Sequence, residues 1–336
     1  MPWLQFRAGP ESKVEVSRIK GASKFRGQKR ILSDFTWVDN EAHLAELIDQ
    51  LGAKSIIAVD TESDSLYSYY EKVCLVQIST NTDDYIIDTL AVDITPLGVI
   101  LAAPQIQKIF HAAEYDILSL RRDYGFQVNN LFDTMLAARL LGWSKHGLGS
   151  ILEAYFNVAL DKRFQQYNWG QRPLSREALK YAHLDTCYLL PLRDVQLEEM
   201  KRLRRLQKAQ EAFSRITQAR STAKIFDPAA VWHLRGVKDL ATDQQTQLQA
   251  LFVFRDRAAR KADRPPFKIM TDATMLQIII RQPKTLAALR QVKGVGPYCL
   301  KCYGHKILRL LQTSQPEPDL YPAKSDEATT TVMASV

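Results

Sequence analysis

From Phe35 onward, apolar residues fall in short unbroken runs and in stripes three or four positions apart, the signatures of buried strands and amphipathic helices. A short strand from Phe35 leads to Asp39 and Asn40, either of which suits a helix N-cap. Leu44, Leu47, Ile48 and Leu51 then give one apolar face to a helix over 41–50. Apolar runs predict strands over 56–62, 73–80 and 85–88, with the polar stretch NTDD between the last two as a hairpin-type turn. Three strands in succession predict an antiparallel meander. After Asp88 the pattern alternates: helix 96–102, strand 108–111, helix 114–124, a short strand near Phe132, then helices 134–141 and 147–156. A long helix opens at Ser175 and is expected to reach about Met200 and continue into a basic helix. Meander followed by alternation predicts an α/β unit, a central mixed sheet with helices on its faces. Residues 240–313 show helical stripes alone, four or five of them, interrupted by Pro265 and Pro266 and restarted with Thr271 or Asp272 as cap.

At 336 residues the chain exceeds one ordinary core and is expected to form two domains. With 46% hydrophobic and 24% charged residues it has the composition of a soluble globular protein. No run approaches 18 apolar residues, and no apolar stretch follows the basic N-terminal residues, so neither a membrane span nor a secretory signal is expected. Four cysteines make no disulfide framework and point to a reducing, cytoplasmic setting. Cys299 and Cys302 form a C-x-x-C without a matching pair, which reads as two thiols on adjacent helical turns rather than a zinc site.

The net charge of +8 conceals a division. Residues 31–200 carry 13 Lys and Arg against 24 Asp and Glu, whereas 201–224 carry 8 against 1 and 225–315 carry 15 against 6. The domain plan is a basic, disordered arm over 1–33, an α/β domain over 34–200, a basic helical connector over 201–225, a helical domain over 226–315 and a disordered tail over 316–336. An acidic globule between basic segments suits a metal-dependent centre served by polyanion-binding surfaces, although basic helices also serve simply as solvated faces.

Within the acidic part, the strand in SIIAVDTESD (55–64) ends in Asp60 and Glu62. Side chains at i and i+2 of a strand share a face, so the two carboxylates stand side by side. Adjacent acids at the edge of a core repel and lose hydration, which a hard divalent cation relieves; a strand running out into a solvated acidic turn is the plain alternative. Asp116 opens the helix after the strand in KIFHA, at a sheet edge where sites are built. In YAHLD, Tyr181 and Asp185 stack at i and i+4 on one helix face, as a site or as a hydrogen-bonded seam.

Together these motifs resemble the DEDD exonuclease superfamily, its Tyr subclass and, within that, the ribonuclease D family. VDTESDSLYSYYEKVCLVQIS resembles the first motif, KIFHAAEYDILSLRRDYG the second, LFDTMLAARLLG the connector with Asp133, and LDKRFQQYNWGQRPLSREALKYAHLDTCYLLPL the third. The His subclass places histidine five positions before the last Asp, where this chain has Lys180; Tyr181 stands at four. The resemblance implies an RNase H-like mixed-sheet exonuclease domain. It makes Asp60, Glu62, Asp116 and Asp185 ligands of two divalent ions, Mg²⁺ or Mn²⁺, with Tyr181 beside the attacking water. Two ions ~3.5–4 Å apart can stabilise the attacking and leaving oxygens of a phosphodiester. A phenol of pKa ~10 orients that water better than it deprotonates it.

The same resemblance implies stepwise hydrolysis from a 3′-hydroxyl end, with single-stranded RNA 3′ ends, tRNA precursors among them, as substrate. A DNA exonuclease and a catalytically idle RNA-binding scaffold are the rival readings. His111, Lys162 and Arg172 are candidate substrate contacts, each with a structural alternative: a packed strand-end histidine, or salt bridging for the two cations. Phe164, Tyr167 and Trp169 read as loop-packing anchors in preference to base-stacking rings. Asp133 reads as an N-cap and stands outside the metal set. In the second domain, FRDRAARKADRPPFKIM, QPKTLAAL and GVGPYCLKCYG resemble the all-α HRDC module, which binds nucleic acid or protein partners. Lys293-Gly294-Val295-Gly296 could present amides to a phosphate or form a plain glycine turn.

Overall fold

The computed structural model describes residues 35–219 and 226–313. The arm over 1–33 and the tail over 316–336 lie outside them. The described residues form two compact units, the first ending at 219 and the second spanning 226–313 and including Ser68–Tyr70.

In the first unit six strands, β1 (Thr36–Val38), β2 (Ile56–Ser63), β3 (Val73–Ser79), β4 (Asp84–Asp88), β5 (Gln107–Phe110) and β6 (Leu131–Asp133), form one sheet in the order β1-β4-β3-β2-β5-β6. β2, β3 and β4 run antiparallel as the meander requires, and β5, β6 and β1 join in parallel pairs. Every residue of β3 and β4 is buried. This explains why these strands read as unbroken apolar runs and not as alternating ones.

The helices of this unit are α1 (Glu41–Gly52), α2 (Gly98–Ala102), α3 (Glu114–Tyr124), α4 (Thr134–Leu141), α5 (Leu148–Phe156), α6 (Arg176–Cys187), α7 (Leu189–Arg202) and α8 (Leu206–Gln218). Asn40 caps α1 by accepting from the His43 N–H, and Leu44, Leu47 and Leu51 are the face it buries.

One expectation needs correction. The helix opening at Ser175 does not run unbroken to Met200: it stops at Cys187, and Tyr188 separates α6 from α7. Pro191 has no N–H to give and its ring crowds the carbonyl four residues back, so one straight helix cannot pass through it. A further break follows α7, where Arg204 takes a positive φ of 55°. Within the basic segment expected as a connector, the described residues pack on the first unit. α8 is basic on its outer side, but its inner side buries Ala209 and Phe213 in the core of the sheet unit, the Phe213 ring lying 5.0 Å from that of Phe132 of β6 and tilted 48° to it. Arg121 of α3 donates to the carbonyls of Thr217 and Ala219 near its end. Burying Phe213 alone is worth about 2 kcal/mol.

The second unit contains α9 (Thr242–Ala262), α10 (Pro266–Ile269), α11 (Asp272–Arg281), α12 (Leu286–Arg290) and α13 (Pro297–Thr313). Leu248, Leu251, Met275, Ile278, Ile279, Leu289 and Ile307 make its core. Thr271 caps α11 through the Thr274 N–H. Gly294 has φ +94° and a Cβ there would stand 2.0 Å from Thr274 Oγ1, so only glycine fits that turn. Cys299 and Cys302 are free thiols on α13, one buried and one exposed. Among the described residues no helix is long and apolar enough to cross a membrane.

Candidate active site

The site forms where the C-terminal part of β2 meets α6. Asp60 and Glu62 alternate onto one face of β2, and the register shifts between Glu62 and Ser63, a bulge that re-aims the end of the strand. α6 lies over β2, β3 and β4 on that face. Ala178 and Ala182 pack among Cys74, Leu75 and Ile86, the Ser79 hydroxyl donates to Thr186 Oγ1 at 2.7 Å, and His183 Nε2 lies 2.9 Å from Asp84 Oδ2. So held, α6 brings Asp185 to β2: carboxylate oxygens of Asp60, Glu62 and Asp185 lie within 4.8 Å of one another.

Asp116 enters from the first turn of α3, buried, and accepts a 2.5 Å hydrogen bond from the hydroxyl of Thr61. Its approach is set by Asp133. That carboxylate caps α4 through the Leu136 N–H and also accepts from the N–H groups of Ala112 and Ala113, fixing the turn between β5 and α3. The N-cap role expected of Asp133 is present; its second role as a clamp is one the sequence did not disclose.

The electrostatics are those of a site short of positive charge. Burial, then repulsion from Asp116, Asp185 and Glu62, holds Asp60 well above the usual carboxylate range. Burial and the charges of Asp185 and Asp116 do the same to Glu62. Burial lifts Asp185 to about 8, with Asp116 adding to it, and lifts Asp116 to about 7 against the lowering bond from Thr61. Among the described residues none of the four forms an ion pair. Three clustered hard-oxygen donors, a fourth buried beside them and no basic side chain to neutralise them fit a divalent cation.

Tyr181 stands one turn before Asp185, in an aromatic nest with ring centroids of Phe164 at 5.7 Å and Trp169 at 6.3 Å. Burial, then Asp185, Glu62 and Asp60, raises its phenol above the ordinary value. Trp169 is 2% exposed, a packing anchor as expected.

The substrate-contact candidates fare unequally. Arg172 directs its guanidinium onto both oxygens of Asp88 and onto the carbonyls of Cys74, Trp169 and Gln171. Its donors tie the 160s loop to β3 and β4, the salt-bridge alternative, and are not offered to a phosphate. His111 shares a 2.8 Å hydrogen bond with Thr134 Oγ1, and burial pushes it down to about 4, so the ring is neutral at physiological pH. Lys162 is exposed at the start of the 3-10 turn Lys162–Gln166.

A six-stranded mixed sheet with helices against it and a carboxylate corner at the ends of β2 and α6 define an RNase H-like exonuclease core. Residues 35–201 match the 3′-5′ exonuclease domain model and residues 244–311 the HRDC domain. The human exosome complex component 10 is 38% identical over 250 residues, 72% of this chain but 28% of that protein, so the chain spans under a third of its length. The catalytic core of RRP6 from Trypanosoma brucei superposes with a TM-score of 0.76 at 28% identity, covering 85% of this chain and 80% of that one. Escherichia coli RNase D, an exoribonuclease involved in structured RNA processing, superposes with a TM-score of 0.65 at 27% identity, covering 85% and 76%. The chain belongs to the 3′-5′ exonuclease family, with an HRDC domain following the exonuclease domain.

Proposed function

We propose that this chain is a metal-dependent 3′-5′ exoribonuclease of the ribonuclease D type, shortening RNA one nucleotide at a time in the maturation of tRNA or other structured RNAs. The observation that carries the reading is the carboxylate corner: Asp60, Glu62 and Asp185 within 4.8 Å, Asp116 beside them, and no counter-charge among the described residues. These four would hold two divalent ions, Mg²⁺ or Mn²⁺. Bound there, the ions would supply Lewis-acid stabilisation of the growing phosphate charge and a more acidic water.

The chain's own residues do the rest. Tyr181, kept protonated by burial and by its acidic neighbours, orients the attacking water through its hydroxyl and does not take its proton. Phe164 and Trp169 fix the ring so that the hydroxyl has one position. Lys162, exposed and with no partner among the described residues, is the phosphate contact retained from the three candidates.

RNA as substrate is supported by the likeness to E. coli RNase D and to the RRP6 core. The helical unit, with 15 Lys and Arg against 6 Asp and Glu over 225–315, would hold the strand behind its 3′ end. A second role for it, docking on protein, is favoured by the human relative's being an exosome complex component. The free cysteines support a reducing compartment, the cytoplasm. The test is parallel digestion of matched 5′-labelled RNA and DNA strands ending in a 3′-hydroxyl or a 3′-phosphate, with Mn²⁺ or EDTA. A one-nucleotide ladder confined to the hydroxyl-ended RNA is expected. Preferential digestion of DNA, or cleavage indifferent to the 3′ end, would overturn the proposal.

A further inference from the structure

Gln77, at the centre of β3, is fully buried, yet among the described residues neither its amide nitrogen nor its amide oxygen has a hydrogen-bond partner. A buried amide left unsatisfied costs about 1–3 kcal/mol, and such groups are rare enough in folded proteins to call for a cause. Packing does not supply one. The next residues along the same face are Leu75, apolar, and Ser79, bonded to Thr186.

Its position does. In the antiparallel ladder between β2 and β3, Gln77 is the direct partner of Asp60, and Leu75 is the partner of Glu62. Residues opposite each other in such a ladder project to the same face. That is the face covered by α6, where Ser79 touches Thr186 and Leu75 packs in one cluster with Tyr181. The amide thus lies between the sheet and α6, alongside Asp60 of the carboxylate corner.

We infer that Gln77 is a positioning residue of the metal site: its amide N–H groups take a carboxylate of the corner, Asp60 first, as acceptor when the site holds its cations. A carboxylate has more lone pairs than a metal uses, and a donor on the spare oxygen fixes which way it turns. Loss of such an outer partner typically weakens metal affinity 10–100-fold. The inference rests on the metal-site reading above.

The experiment uses the full chain and the variants Gln77→Leu and Gln77→Met, both apolar and close in volume. Melting temperature without metal and Mn²⁺ affinity by calorimetry are measured on each. Because the metal-free amide bonds nothing, both variants should melt without metal at or above the wild-type temperature. Both should bind Mn²⁺ at least about tenfold more weakly, with kcat reduced and KM for RNA little changed. Wild-type Mn²⁺ affinity in a folded variant would overturn the inference. So would a lower metal-free melting temperature, or failure to fold, in both variants, since the amide would then be holding the fold. Wild-type protein that binds no Mn²⁺ would instead remove the metal-site reading itself, and this inference with it.

Discussion

Asp64, Asp88 and Asp133 are buried at least as deeply as Asp116 and Asp185, in the same domain, and each is matched to donors. Asp64 pairs with Lys72, Asp88 takes the Arg172 guanidinium and Asp133 accepts three backbone N–H groups. The four acids at the β2–α6 corner have no basic partner among the described residues; one of them, Asp116, has the Thr61 hydroxyl. Asp64 and Asp88 show that this fold can pair a buried carboxylate with a basic side chain. The corner is therefore not a defect of packing. Under the proposed function it is a place where acids are gathered against their mutual repulsion, and a divalent cation would complete it.

The comparison is broken or sharpened most strongly by making one substitution in both groups. Asp60→Asn and Asp185→Asn should lower turnover by at least about a hundredfold, the scale of losing one preorganised charge-stabilising group. Both should leave the metal-free protein as stable as before or more so, because a repelling charge is gone. Near wild-type turnover at saturating Mg²⁺ would remove these acids from the metal set.

Asp88→Asn should do the reverse. It abandons half of the Arg172 pairing, and a partly buried pair broken from one side costs about 2–4 kcal/mol. Denaturant melts should show that loss, while the folded protein keeps its Mn²⁺ affinity. An unchanged midpoint would show that the Arg172 network does not hold the 160s loop.

A smaller effect appears in the pH dependence of the metal-free protein. Asp116 at about 7 and Asp185 at about 8 keep protons that the unfolded chain releases near pH ~4. The folded state then binds more protons than the unfolded one, so stability from these groups is fully present below pH ~4 and is lost as pH rises to about 8. Melting in EDTA should fall across that window, less steeply in Asp185→Asn. A wild-type slope in that variant would show that Asp185 is not among the groups responsible.

Tyr181→Phe should have the mildest consequence. The ring stays in its nest and the hydroxyl goes, so kcat should drop about tenfold with KM within twofold. Full kcat with weakened RNA binding would make Tyr181 a substrate contact instead.

Much of this was legible in local sequence. The period of two put Asp60 and Glu62 on one face, i and i+4 put Tyr181 beside Asp185, and Asn40, Asp133 and Thr271 are caps because their side chains reach an N–H three residues on. What local pattern could not carry was pairing across distance. Arg172 is drawn to Asp88, 84 residues away, and Thr61 to Asp116, 55 away, and no spacing rule links either pair. The apolar stripe of Ala209, Phe213 and Ile216 was visible inside the basic helix. Its docking on the sheet depended on Phe132 and its neighbours facing it. The break at Tyr188 has a local signal, Pro191, set within a long helical stripe.

The most direct test of the uncompensated corner is calorimetric titration of the metal-free protein with Mn²⁺ at pH 7, repeated in two buffers of different ionisation enthalpy. If Asp185 and Asp116 carry protons that the ion must displace, binding should release protons, and the apparent heat should differ between the buffers accordingly. Asp60→Asn and Asp185→Asn should bind far more weakly. Tight binding with no proton release, or equal binding by wild type and both variants, would contradict the account.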